Sequence, residues 1–176
     1  MILKGFKEKS NKKYLNKTLS NRSVNVDNSK ITSLGVILNI DEFEDFELFR
    51  NLAGKLNVRA NKFKLIAFSI DTKRAFNSWD VYFNPNDFGW HGTIKNIELQ
   101  SFLDTKFDAL ISYYSVGVLE LKMLTAISTA KFKIGIQKTD DRLNDLIINT
   151  KINEFEVFKN ELFKYLTILN KIKNEK

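Results

Sequence analysis

Apolar positions follow two rhythms along this chain. Short, nearly unbroken apolar runs read as strands at residues 33–39 (SLGVILN), 62–70 (KFKLIAFSI), 107–113 (FDALISY), 132–136 (FKIGI) and 146–149 (LIIN), with a further short strand at 81–83. Between them, apolar residues recur at every third or fourth position. Phe43, Phe46, Phe49, Ala53 and Leu56 mark a helix reaching about residue 57. Asp41 reads as its N-cap, and Glu44 three residues on completes a capping-box pattern. Residues 97–103 predict a short helix, and 116–130 a longer one with Leu119, Met123, Leu124 and Ile127 turned inward. A last helix, 153–173, carries Phe155, Phe158, Leu162, Leu166, Leu169 and Ile172 as its core stripe.

Strands that are apolar throughout are buried on both faces, and their alternation with helices predicts a mainly parallel sheet. The expected architecture is a three-layer α/β sandwich of about five strands, Rossmann-like or flavodoxin-like, preceded by a basic N-terminal helix or tail. At 176 residues one such domain is expected. The division expected is a basic segment at 1–30 and a single α/β domain at 31–176, with the linker-like stretch 21–32 between them.

Charge changes this picture at one end. The first thirty residues hold eight basic residues against two acids, +6 of the chain's net +7. The remaining 146 residues are therefore close to neutral, and an anionic partner becomes the first functional question. With no cysteine, disulfides, thiolate metal sites and cysteine nucleophiles are excluded. The leader lacks the roughly 7–15-residue apolar core of a secretory signal. No stretch approaches the roughly 20 apolar residues of a membrane span. A cytoplasmic protein is expected.

On a helical wheel the leader's lysines fall on every side. Ile2, Leu3, Phe6 and Tyr14 lie roughly opposite Leu15 and Leu19. A membrane-surface helix needs one continuous apolar face, which this segment lacks. Charge all round suits phosphates, so RNA or a ribonucleoprotein assembly such as the ribosome is the favoured partner. Lys4, Lys7, Lys9, Lys12, Lys13, Lys17 and Arg22 are the expected phosphate contacts. Lysines offer point charges without the bidentate fork of arginine, so weak sequence preference is expected. Membrane attachment through Ile2, Leu3 and Phe6 is a further alternative.

In the body, a dinucleotide site would need a glycine-rich turn entering a helix. Here the first strand runs into Asp41, Glu42, Glu44 and Asp45, and neither a P-loop nor GxGxxG occurs. No cofactor and no metal are expected, and no catalytic residue stands out. A ligand-binding or small-enzyme alternative would use strand-end residues Asp71, Ser112, Tyr113, Asp141 and Arg142. Ser115 and Gly117 before the fourth helix could meet an anion, and Asp140, Asp141 and Asp145 around Arg142 a divalent metal or an acid–base pair, but these patterns are more often caps and a polar turn. His91, the single histidine, has no evident triad partner or second metal ligand. The aromatic-rich stretch 79–90 (WDVYFNPNDFGW) offers Trp79 and Trp90 as partner anchors, or as residues that tuck a long loop against the sheet.

The string NDFGWHGTIKN…LQSFLDTKFDALISYY…LTAISTAKFKIGI…DRLNDLIINT resembles an uncharacterised bacterial family, domain of unknown function 6913. That resemblance covers most of the chain, including the basic leader, and implies neither an activity nor site residues. More locally, FDALISYY…LTAISTAKFKIGI is similar to the strand–helix–strand module in the N-terminal half of heptosyltransferase-type glycosyltransferases. This likeness implies a Rossmann-like fold but not the activity, since those enzymes hold the nucleotide-sugar mainly through a second domain. The reading is therefore a non-enzymatic α/β binding module that meets its anionic partner through a basic leader.

Overall fold

The structure is a computed structural model that describes residues 1–75, 81–136 and 140–173. Among these residues the sheet has six strands: β1 (Leu34–Asn39), β2 (Phe63–Phe68), β3 (Val81–Phe83), β4 (Ala109–Tyr113), β5 (Phe132–Ile136) and β6 (Leu146–Ile148). Every pairing is parallel and the strand order is β3-β2-β1-β4-β5-β6. The central strands β1, β4 and β5 are buried along their whole length, which is why their sequences lack polar alternation. The edge strands β3 and β6 are three residues each, and short edges offer little template for pairing with another chain.

Successive side chains of each strand enter opposite layers. On one face Val36, Leu38, Ile111, Tyr113, Ile134 and Ile136 meet α2 (Phe46–Lys55) and α5 (Phe155–Ile168). On the other face Ile37, Ile66, Phe68 and Leu110 meet α3 (Ile97–Asp104) and α4 (Leu119–Ile127). The N-terminal helix α1 (Ile2–Ser20) joins this second layer and packs against α4, with Leu15 and Leu19 buried in the same cluster. The result is a three-layer α/β sandwich with α1 laid on one of its helical faces. No described helix is long and apolar enough to cross a membrane.

Several helix boundaries differ from the sequence expectation, and at three of them the hydrogen bonds show why. The helix expected to start at Asp41 starts at Phe46, capped by Asp45, which accepts from the Leu48 amide at 3.3 Å. Asp41 instead accepts from Ser69 Oγ and from the Ile70 amide, tying the end of β1 to the end of β2. The helix expected from 116 starts at Leu119, because the Ser115 and Val116 amides are already bonded to Glu42. The last helix stops at Ile168, where Asn170 takes φ 56° and the Lys171 amide returns to the Leu166 carbonyl. Leu169 consequently leaves the core stripe and stands exposed.

Lys133 breaks the apolar run of β5 and is 4% exposed. Its Nζ donates to the Thr125 and Ala126 carbonyls at 2.7 and 3.2 Å, at the end of α4 where carbonyls lack helical partners. Burial pushes the ammonium down from 10.5 to about 8, the Arg22 charge adds to this, and Asp145 opposes it. Between those two values the unfolded chain holds a proton that the folded chain has shed, so this group makes stability rise with pH there. The expected slope approaches about 1.4 kcal/mol per pH unit. Tyr113, whose hydroxyl is pushed up to about 12 by burial, works in the opposite direction above pH 10. Urea midpoints measured from pH 8 upward should therefore rise more steeply for the wild type than for Lys133→Met. Parallel profiles would show that Lys133 keeps its proton in the folded state.

Candidate nucleic-acid interface

In a sheet of this order the connections diverge between β1 and β4, and ligands of such folds sit at the carboxyl ends of the strands at that point. Here the crevice is filled from within. The Glu42 carboxylate accepts from the Ser115 amide at 3.0 Å, the Val116 amide at 3.2 Å and Asn39 Nδ2 at 3.0 Å, and Ser115 Oγ also donates to it. The donors in front of α4 that would hold an anion thus already hold one belonging to the chain. Beside it Arg74 bridges Asp41 and Glu44.

The strand-end residues of the ligand-binding alternative do not converge. Ser112 is buried beneath α4, where its hydroxyl meets Thr125 Oγ1 at 2.8 Å, and Tyr114 joins Thr125 at 2.7 Å. Burial raises the Tyr114 hydroxyl above its ordinary range, with the Thr125 and Ser112 hydrogen bonds opposing. Tyr113 points into the opposite layer. Its ring packs edge-on against Phe43, Phe49 and Phe158, and its hydroxyl donates to the Ile152 carbonyl at 2.8 Å. Asp71 is exposed and caps the Lys73 amide. Arg142 pairs with Asp140 at 2.8 Å, while Asp141 is exposed on the same turn. None of the described clefts brings Asp71, Ser112, Tyr113 and Arg142 together. Among the described residues no group of three His, Asp or Glu is placed to hold a metal ion.

The convergent chemistry lies on α1. This helix has no acidic residue in its first turn and no side-chain N-cap, and Gly5 costs about 1 kcal/mol relative to alanine. Its lysines add mutual repulsion, so tertiary contacts have to hold it. They do so from its second turn to just past its C-terminal end. Near its middle Asn11, 3% exposed, donates from Nδ2 to the Gly89 carbonyl and accepts at Oδ1 from the Gly92 amide, both at 2.9 Å. Lys7 Nζ donates to the Phe88 carbonyl at 2.7 Å, and Ser10 Oγ meets His91 Nδ1 at 2.8 Å. Beyond the helix, Arg22 pairs with Asp145 at 2.5 Å and donates to the Arg142 carbonyl at 3.0 Å.

The loop that receives α1 is shaped for it. His91 and Gly92 both take positive φ, 53° and 75°, and a Cβ on Gly92 would stand 2.2 Å from the Tyr14 ring. Only glycine allows the ring to lie on that backbone. Phe83 and Phe88 are buried, tucking the connection against the sheet as expected of an anchored loop. Trp90 is not tucked in: it is 43% exposed. Trp79 lies outside the described residues. The Ser10–His91 contact has the reach of a nucleophile–base pair, but among the described residues nothing orients the other ring nitrogen, and His91 here fastens the loop to the helix.

Docking also sorts the charges that the wheel spreads around α1. Leu15, Leu19 and Asn11 face inward, Lys7 and Arg22 are bonded to the body, and Lys4, Lys9, Lys12, Lys13 and Lys17 remain exposed. Glu8, paired with Lys12 at 2.6 Å, is the one acid on the helix. Phe6, 57% exposed, lies on this outer side and shares with Lys9, Ser10, Lys13 and Trp90 a cleft of about 690 Å³. The helix wheel shows which residues can share a face. It does not show that Trp90, distant in sequence, completes the cleft. The available hint was the pair of glycines bracketing Trp90 and His91.

The fold is thus that of a Rossmann-like α/β domain whose ligand crevice is closed by its own glutamate and whose second helical layer carries a docked basic helix. A model of a family of unknown function, DUF6913, matches residues 7–169, so the chain belongs to that family. No curated protein and no solved structure matches it.

Proposed function

We propose that the protein is a non-enzymatic binding module that associates through α1 with RNA or a ribonucleoprotein assembly such as the ribosome, and that it works in the cytoplasm, where such assemblies reside. One observation carries this reading: a basic helix fixed to a neutral body leaves five lysines exposed, and three of them, Lys9, Lys12 and Lys13, line one cleft with the exposed rings of Phe6 and Trp90. Phosphate neutralisation by such lysines is the general electrostatic source of nucleic-acid affinity. With Glu42 filling the sheet crevice, the small-ligand alternative has less to support it. Exposed Ile2, Leu3 and Phe6 favour a second reading, attachment to an anionic membrane surface.

The test is a salt titration of the full chain with single-stranded RNA. Five phosphate contacts predict that log K falls with log salt at a slope of about −3.5. The triple variant Lys9→Glu/Lys13→Glu/Lys17→Glu, folded as judged by circular dichroism, should flatten that slope by about 2. Absence of RNA binding at low salt, or a slope that the triple variant leaves unchanged, would overturn the proposal. Binding of anionic vesicles in place of RNA would give the ground to the membrane reading.

A further inference from the structure

Resting on the RNA reading, we infer that Phe6 and Trp90 are a stacking platform for unpaired bases, so that the preferred ligand is a single-stranded segment whose flanking phosphates meet Lys9 and Lys13. The argument begins with what it takes to hold Trp90 where it is. The turn that carries it has two consecutive residues at positive φ, and it is fastened to α1 through Asn11, Ser10 and Lys7. A loop this well fixed could bury its tryptophan, as it buries Phe88 two positions earlier. Instead the indole stands at the surface, and among the described residues its ring contacts are confined to His91, at 6.4 Å and a 46° tilt.

The surroundings choose the occupant. An exposed aromatic ring rimmed by apolar residues suits a protein, but here the rim is Lys9, Lys12, Lys13, Ser10 and Asn16. Aromatic faces beside a line of point charges match a polyanion that carries a flat apolar group at each step, which describes single-stranded nucleic acid. A duplex has its base faces already stacked and would offer this surface only phosphates and sugar hydroxyls. Because every base has a π-face and lysines do not read base edges, recognition is of unpaired character and not of sequence.

The experiment uses the Trp79→Phe background, which leaves Trp90 as the one tryptophan. Its fluorescence is followed during titration with oligouridylate, with an RNA duplex of equal length, and with anionic vesicles. Expected is saturable quenching by the single strand and little by the duplex. Trp90→Ala in the otherwise natural chain should weaken single-strand binding about tenfold while leaving the salt slope unchanged, and Trp90→Phe should recover most of the loss. Equal single-strand and duplex affinity, or unchanged affinity in folded Trp90→Ala, would overturn the stacking inference while the lysine-dependent slope keeps the RNA reading alive. If neither RNA binds at low salt, both fall, and vesicle binding in that case assigns the surface to lipid.

Discussion

Replacing Asn11 with leucine will release the N-terminal half of α1 from the body while the sheet stays folded. The side-chain amide makes a donor–acceptor pair with the Gly89 carbonyl and the Gly92 amide, and Asn11 is 3% exposed. Leucine supplies neither hydrogen bond. A docked helix would then leave a buried carbonyl and an amide without partners, at about 1–3 kcal/mol each. Undocking lets water satisfy them and is the cheaper outcome, because the turns before Asn11 bury little: Ile2, Leu3 and Phe6 are all exposed. The turns after it stay in place, held by Leu15 and Leu19 in the core and by Arg22 on Asp145. Amide exchange in the folded state reads this directly. Protection of residues 5–13 should fall by about a hundredfold, corresponding to roughly 3 kcal/mol, while β1 and β4 keep theirs. The same variant should lose most of the Trp90 response to RNA, since Phe6, Lys9 and Trp90 are brought together by this contact. Unchanged protection would mean that the Asn11 pair is dispensable and that Lys7, Ser10 and the buried leucines suffice to hold α1.

The contrast between what the sequence revealed and what it hid follows from the range of the interactions. Mostly apolar strands such as residues 33–39 and 132–136 announce burial on both faces, so the parallel α/β sandwich was legible. The six elements of the sheet fall within a few residues of their expected bounds. Helix starts were less legible because a carboxylate can cap its own helix or serve another loop. Asp41 and Glu42 look like first-turn acids, yet they bond to residues 28 and 73 positions away. The candidate site was legible in its parts. The lysines, the apolar residues of the leader and Trp90 all stand out, but their assembly depends on Asn11, a polar residue that looks like part of a solvated face. Lys133 was hidden for the same reason: a lysine in a strand suggests an edge, and only the fold shows it reaching the end of α4.

Asp145→Ala should be among the most destabilising single changes on the surface that receives α1, at about 3–5 kcal/mol. The Asp145 side chain is 6% exposed and that of Arg22 16%, so the pair is largely removed from water. One carboxylate oxygen takes Arg22 at 2.5 Å and the other takes the Lys133 amide at 2.8 Å, while the Asp145 amide returns to the Lys133 carbonyl. Asp145 therefore joins α1 to β5 through one residue. Alanine leaves a shielded guanidinium beside Lys133, two cations without their counter-charge. Arg22→Leu creates the mirror problem for the carboxylate. The double variant Arg22→Leu/Asp145→Leu removes both charges and should recover much of the loss, because a partly buried pair contributes less than either broken half costs. Urea unfolding of the four proteins closes the cycle, and additive losses would show that the two side chains act independently. The result also bears on function. Arg22→Leu should change stability yet leave the RNA salt slope where it was, whereas the outward lysines should do the reverse. A slope that flattens with Arg22→Leu would mean that the guanidinium leaves Asp145 for phosphate when RNA arrives.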